Sequence, residues 1–167
     1  MKKHIFILTF AMVVASVVAS AQTRQPTTAI RPFVVKSKQS LADLEKKLST
    51  DNKVEDLIGG SGMETRVAIQ HDKSRIGADA ELHDASDDVY YVLKGKATLL
   101  LGGKLVDPKE ISPGEWRSKK TEGAETIEIK QGDLVVVPRG TVHQRTVTGK
   151  GFSMILIKIY EDPLPAK

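Results

Sequence analysis

The sequence predicts an all-β domain, a sandwich or closed barrel, preceded by one short helix. Three observations carry this expectation. From Glu64 onward, short segments rich in Val, Ile, Leu and Tyr recur at 66–70, 89–93, 97–101, 126–130, 134–137 and 152–160. Gly or Pro punctuates them at Gly77, Gly95, Gly102, Gly103, Gly132, Pro138 and Gly140. Helical spacing occurs once, early, where Leu41, Leu44 and Leu48 fall on one face. Many short strands with regular turn signals are the pattern of sandwiches and barrels. The 167 residues suffice for one domain with a core of its own.

The elements follow in order. Lys2 and Lys3 precede an apolar run at 5–18, and Ala19-Ser20-Ala21 offers the small residues of a signal-peptidase site. Residues 1–21 are therefore expected to be a signal peptide, cleaved between Ala21 and Gln22, with the mature protein secreted or periplasmic. The apolar run is short for a bilayer span, so no membrane association is expected after cleavage. Residues 22–62 are expected to hold a flexible lead-in, Thr/Pro/Gln-rich over 22–31, and the short helix. That helix is predicted over 41–48, with Ser40 as cap and Asp43 near its positive end. Gly59-Gly60-Ser61-Gly62 closes the preamble, and the β domain is expected over 63–162. Within it, 126–130 alternates, with Ile127 and Ile129 on one face. The polar stretch 104–123, with Pro108, Pro113 and Gly114, reads as an insertion loop between two halves of the domain.

Composition narrows the function. Lys+Arg number 25 against 21 Asp+Glu. Loss of Lys2 and Lys3 with the leader leaves a mature net charge of +2. No basic helix or stripe of Lys/Arg interleaved with aromatics is present, which argues against nucleic acid as a partner. There is no Cys, so any metal must be held by N and O ligands. Gly59–Gly62 lacks the Lys-Ser/Thr of a phosphate loop.

Two segments carry chemistry. In Gly132-Asp-Leu-Val-Val-Val-Pro138-Arg-Gly140-Thr-Val-His143 an apolar strand enters a Pro-x-Gly turn and returns with His143. Pro138 fixes its φ, and Gly140 can take a positive one. Period-2 geometry then puts His143, Arg145 and Val147 on one face. Upstream, Glu81-Leu82-His83 places two potential ligands on one strand face, followed by Asp88, a strand and Gly95. Two imidazoles and two carboxylates thus come from separate strands, and His, His and a carboxylate can cap one side of a metal. Arg145 is a candidate for a substrate carboxylate or phosphate, or equally a partner for Glu81 or Asp88 in a metal-free barrel. Tyr90 shares the Asp88 face, as pocket lining or as core. His71, beside Asp72 and Lys73, is expected to be solvated, as are Lys119 and Lys120, and Trp116 to pin the loop that carries it.

These segments resemble the two signature motifs of the cupins. Gly132-x5-Pro138-x-Gly140-x2-His143 is similar to the second, with Val147 where Asn is usual. Glu81-x-His83-x4-Asp88-x6-Gly95 resembles the first in spacing, with Glu81 in place of its first His and Asp88 in place of its Glu. The resemblance implies a double-stranded β-helix, the cupin jelly-roll barrel, often assembled as a homodimer. By position it implies metal ligands Glu81, His83, Asp88 and His143, and a divalent cofactor, manganese, iron or zinc, the two carboxylates favouring a harder metal such as manganese or iron over copper. It further implies a metal-dependent oxygenase or isomerase, with Glu81 as fourth ligand or general base and Arg145 orienting an anionic substrate. The alternative is a non-catalytic cupin that binds a small molecule without metal.

Overall fold

The computed structural model describes residues 26–29, 31–59 and 63–162. The expected signal peptide, its cleavage site and Gly60–Gly62 lie outside the described residues. The chain divides into two units, Met1–Pro32 and Phe33–Lys167, and the fold below is that of the second. Among the described residues no helix is long and apolar enough to cross a membrane.

Helix α1 spans Lys38–Leu48, one turn earlier at its start than the sequence predicts. The correction is local. Ser37, not Ser40, is the cap, because Ser37 is extended and its Oγ accepts the Ser40 N–H at 3.1 Å. Asp43 then lies past the first turn and accepts from Gln39 at 2.8 Å. Lys46 and Lys47 suit the negative end of the dipole. Leu48 is buried on the side packed against the sheet.

The strands are β1 (Lys53–Ile58), β2 (Thr65–Asp72), β3 (Ala80–His83), β4 (Ser86–Lys94), β5 (Lys96–Leu101), β6 (Lys104–Val106), β7 (Lys109–Ser112), β8 (Glu115–Ser118), β9 (Lys120–Glu122), β10 (Glu125–Lys130), β11 (Leu134–Val137), β12 (His143–Thr146) and β13 (Phe152–Tyr160). They form a five-stranded sheet in the order β1-β2-β13-β4-β11 and a six-stranded sheet in the order β10-β5-β12-β3-β8-β7, with a β6–β9 ribbon. β13 lies between β2 and β4, and β12 between β5 and β3, the long-range interleaving of a jelly roll. No ladder joins the two sheets among the described residues, so the architecture is a two-sheet jelly roll and not a closed barrel. β1 falls within the stretch 22–62 and forms the edge of the first sheet.

Alternation builds the core. On β4, Ser86, Asp88, Tyr90 and Val92 point inward, while Tyr91 faces out. Tyr90, Val92, Phe152, Met154 and Leu156 from one sheet pack with Ala97, Leu99 and Ile129 from the other. Burying each such aliphatic or aromatic side chain contributes about 1.5–3 kcal/mol.

Two further expectations are corrected. The stretch 104–123 is not a loop: it forms β6 to β9, and β8 pairs with β3 in full register from Ala80↔Ser118 to His83↔Glu115. His71 is not solvated: it is 5% exposed on β2, with Nδ1 2.8 Å from Ser153 Oγ. Ser153 in turn donates to Glu45 on α1 at 3.1 Å, so a polar chain fastens the helix to the sheet.

Candidate metal centre

Strand register brings the site together. β3 lies between β12 and β8, with His143 opposite Glu81, and Glu81 opposite Arg117. The Pro138–Gly140 turn delivers His143 there. Gly140 has φ 76°, and its N–H donates to the His83 carbonyl at 2.7 Å, fastening the turn to β3.

Glu81, His83 and His143 each offer a donor atom, and these lie within 4.8 Å of one another. His143 Nε2 is 3.6 Å from Glu81 Oε1. Two donors about 2.1 Å from one ion at a tetrahedral angle stand about 3.4 Å apart, so this spacing fits a shared cation. The His143 imidazole is in the tautomer that a metal ligand needs. His143 Nδ1 is 3.0 Å from the Thr141 carbonyl, which can only accept, so Nδ1 carries the proton and Nε2 a lone pair. That Nε2 is fully buried and has no hydrogen-bond partner. Burial lowers the His143 pKa against the opposing pull of Glu81 and keeps the ring neutral. His83 Nδ1 lies 2.7 Å from Glu115 Oε2, the carboxylate–histidine pairing that orients metal-ligating imidazoles. The two rings are 5.0 Å apart.

Asp88 stands beside this cluster and outside it. Its Oδ2 is 3.6 Å from His83 Nε2 and 3.8 Å from His143 Nε2. Its Oδ1 accepts from Lys158 at 2.6 Å, and its Oδ2 from the Tyr90 hydroxyl at 3.1 Å. Burial alone would raise its pKa, but the His83 ring and the Lys158 ammonium hold it at about 2. Tyr90 combines both expected roles, buried at 1% exposure and facing the site.

Arg145 pairs with neither Glu81 nor Asp88. Its Nε donates to Asp72 Oδ2 at 2.8 Å. Arg117 takes the place beside Glu81, with Nη2 3.0 Å from Oε2, and Nη1 3.4 Å from Glu115. Trp116 does pin its segment, donating to Asp84 at 2.7 Å. Glu115, Arg117, Lys158 and Asp72 were missed. The alternation Glu115-x-Arg117 in 115–118 and Leu156-x-Lys158 in 152–160 was the available signal.

No protein-family model and no curated protein matches the sequence. Solved structures do resemble it. BH2720 from Bacillus halodurans matches with a TM-score of 0.51 at 18% identity, over 83% of this chain and 88% of that one. The DMSP lyase DddQ from Ruegeria pomeroyi matches at TM-score 0.47 and 17% identity, over 68% of this chain and 49% of its own; this chain thus spans about half the length of that protein. A Klebsiella pneumoniae protein with a double-stranded β-helix domain matches at TM-score 0.47 and 15% identity, over 66% of this chain and 78% of that one. Strand order and interleaving agree with the likeness to BH2720, which is one of fold: the chain is a double-stranded β-helix.

Proposed function

We propose that the chain holds one divalent metal ion through Glu81, His83 and His143 and acts there on a small anionic molecule, as a metal-dependent oxygenase or isomerase. The observation that carries this reading is the buried, unpartnered Nε2 of His143 beside Glu81 and His83. A lone pair in that position forfeits a hydrogen bond unless an ion or ligand meets it. Asp88 stands close enough to join as a fourth ligand once Lys158 releases it. Two imidazoles and carboxylates suit manganese, iron or zinc. Such an ion would supply Lewis-acid polarisation of a substrate oxygen.

The chain's own groups do the rest. Beside the cluster lies a cavity of about 220 Å³, room for roughly seven water molecules. Glu81 is the ligand or base at its wall, and Arg145 orients the substrate. The alternative is a metal-free cupin binding a small molecule. It is favoured by one observation: Arg117 already compensates Glu81, and Lys158 compensates Asp88.

Elemental analysis of the native protein decides between them. Near-stoichiometric manganese, iron or zinc, lost in His143→Ala together with metal-dependent thermal stabilisation, supports the first. A protein whose melting temperature ignores both chelator and these metals supports the second. Export with cleavage after Ala21 belongs to the same proposal, and an N-terminus at Gln22 on protein from the periplasm or medium supports it.

A further inference from the structure

Arg75 and Arg145 stand on one face of neighbouring extended segments. Arg75 pairs with Val147 through two backbone hydrogen bonds of 2.9 Å. Arg145 lies two residues before Val147, so its side chain emerges on the same face. Diagonal cross-strand neighbours of this kind are roughly 7–8 Å apart, within reach of long side chains. Both arginines line the cavity that Glu81 and His83 also line.

Arg145 is 5% exposed and tightly held. Its Nε bonds Asp72, and its guanidinium carbon lies 5.7 Å from the Tyr90 ring centroid and 5.8 Å from that of Phe152. Its two terminal nitrogens make no hydrogen bond or ion pair among the described residues. Neither does any side-chain nitrogen of Arg75, whose Nε is fully buried. Two guanidinium groups facing one small cavity without an acid for their terminal nitrogens repel each other and forfeit strong hydrogen bonds. An anion between them removes both costs. The charge balance agrees. Around the cavity, Asp72, Glu81, Asp88 and Glu115 are matched by Arg75, Arg117, Arg145 and Lys158. A divalent cation would leave two positive charges in excess.

We propose that Arg75 and Arg145 form a carboxylate-binding station for a small organic acid whose other polar end reaches the Glu81–His83–His143 cluster. The far end of that ligand rests on the metal reading above, while the arginine station can be tested apart from it. A guanidinium fork matches the planar carboxylate bidentately. His143 and Arg145 are two residues apart on a strand, a backbone separation of about 6.7 Å, so short acids of about four carbons are the probes of choice.

The test is calorimetric titration of the full chain loaded with manganese, using succinate, 4-hydroxybutyrate, butane-1,4-diol and inorganic phosphate. Both acids are expected to bind and the diol not. Arg75→Gln is expected to weaken succinate about 10- to 100-fold, the value of charge-assisted hydrogen bonds, with manganese content unchanged. Arg145→Gln should weaken it at least as much. That change strips Asp72 of its partner, so Arg75→Gln, which breaks no ion pair, carries the decision. The same titrations on chelator-treated protein separate the two readings. If manganese is not retained but succinate binding still depends on Arg75, the metal reading fails and the station stands. Equal succinate affinity in wild type and Arg75→Gln, or no succinate binding to either form, overturns the station. Tighter binding of phosphate than of succinate overturns the carboxylate assignment.

Discussion

Glu115 shows how one side chain outside the proposed ligand set can govern it. Its carboxylate accepts a hydrogen bond from His83 Nδ1–H at 2.7 Å, which fixes the ring and raises the basicity of Nε2. Glu115→Gln is expected to weaken metal binding about 10- to 100-fold, read by competition with a chromophoric chelator; unchanged affinity would reduce Glu115 to a surface acid. Asp88 gives a second prediction at this scale. Its folded-state pKa of about 2 lies below the ordinary 3.8, so its stabilisation is present above pH 3.8 and is lost as pH falls towards 2. The shift corresponds to about 2 kcal/mol. With chelator present, denaturant unfolding of the wild type should lose stability between pH 4 and 2 more steeply than Asp88→Asn does. Parallel slopes would mean that Lys158 does not hold Asp88 in solution. Below about pH 6.5 a related effect sets in. The unfolded chain takes up a proton that buried His143 resists, so stability and metal occupancy should fall together.

At the scale of elements, the turn from β4 to β5 explains the motif glycine. Gly95 has φ +78°, and a Cβ there would meet the Gly151 carbonyl oxygen at 2.2 Å. Gly132 also has positive φ, +91°, but a Cβ there meets nothing within 4 Å. Gly95→Ala should therefore cost about 3 kcal/mol or more, by strain plus a backbone clash. Gly132→Ala should cost only the left-handed penalty of about 1–2 kcal/mol. Equal losses in urea unfolding would refute the distinction. Such backbone demands are why both motifs, and the strands they bound, were legible from Gly, Pro and period-2 spacing. The segment from Lys104 to Glu122 was not, for two reasons. β7 is exposed along its whole length and shows no alternation. On β8 the residues that line the cavity are Glu115 and Arg117, charges where a strand pattern expects apolar groups. A functional site thus hides the strand that builds it. Asp72 escaped notice similarly: its value lies in meeting Arg145 across 73 residues of chain, a pairing no local spacing reports.

For the whole molecule, the telling feature is the outward face of the five-stranded sheet. β11 is its edge. Leu134 and Val136 there are 65% and 59% exposed, and Leu134 lies opposite Tyr91, itself 46% exposed. Ile155 and Ile157 of β13 extend the same rows through Tyr91 and Val89. Soluble monomers rarely leave contiguous apolar patches uncovered, and an unpaired edge strand is a template for another strand. A second copy of the chain satisfies the edge: antiparallel addition of β11 to β11 about a two-fold axis continues the sheet and sets Leu134 and Val136 beside their equivalents, shielding part of the apolar rows. The native protein is therefore expected to be a dimer at micromolar concentration by light scattering coupled to size-exclusion chromatography. Val136→Lys should yield a monomer with an unchanged far-ultraviolet spectrum and unchanged metal content, since Val136 faces away from the cavity. A monomeric wild type, or a dimer indifferent to Leu134→Lys and Val136→Lys together, would place the contact elsewhere and leave the apolar rows to a different partner.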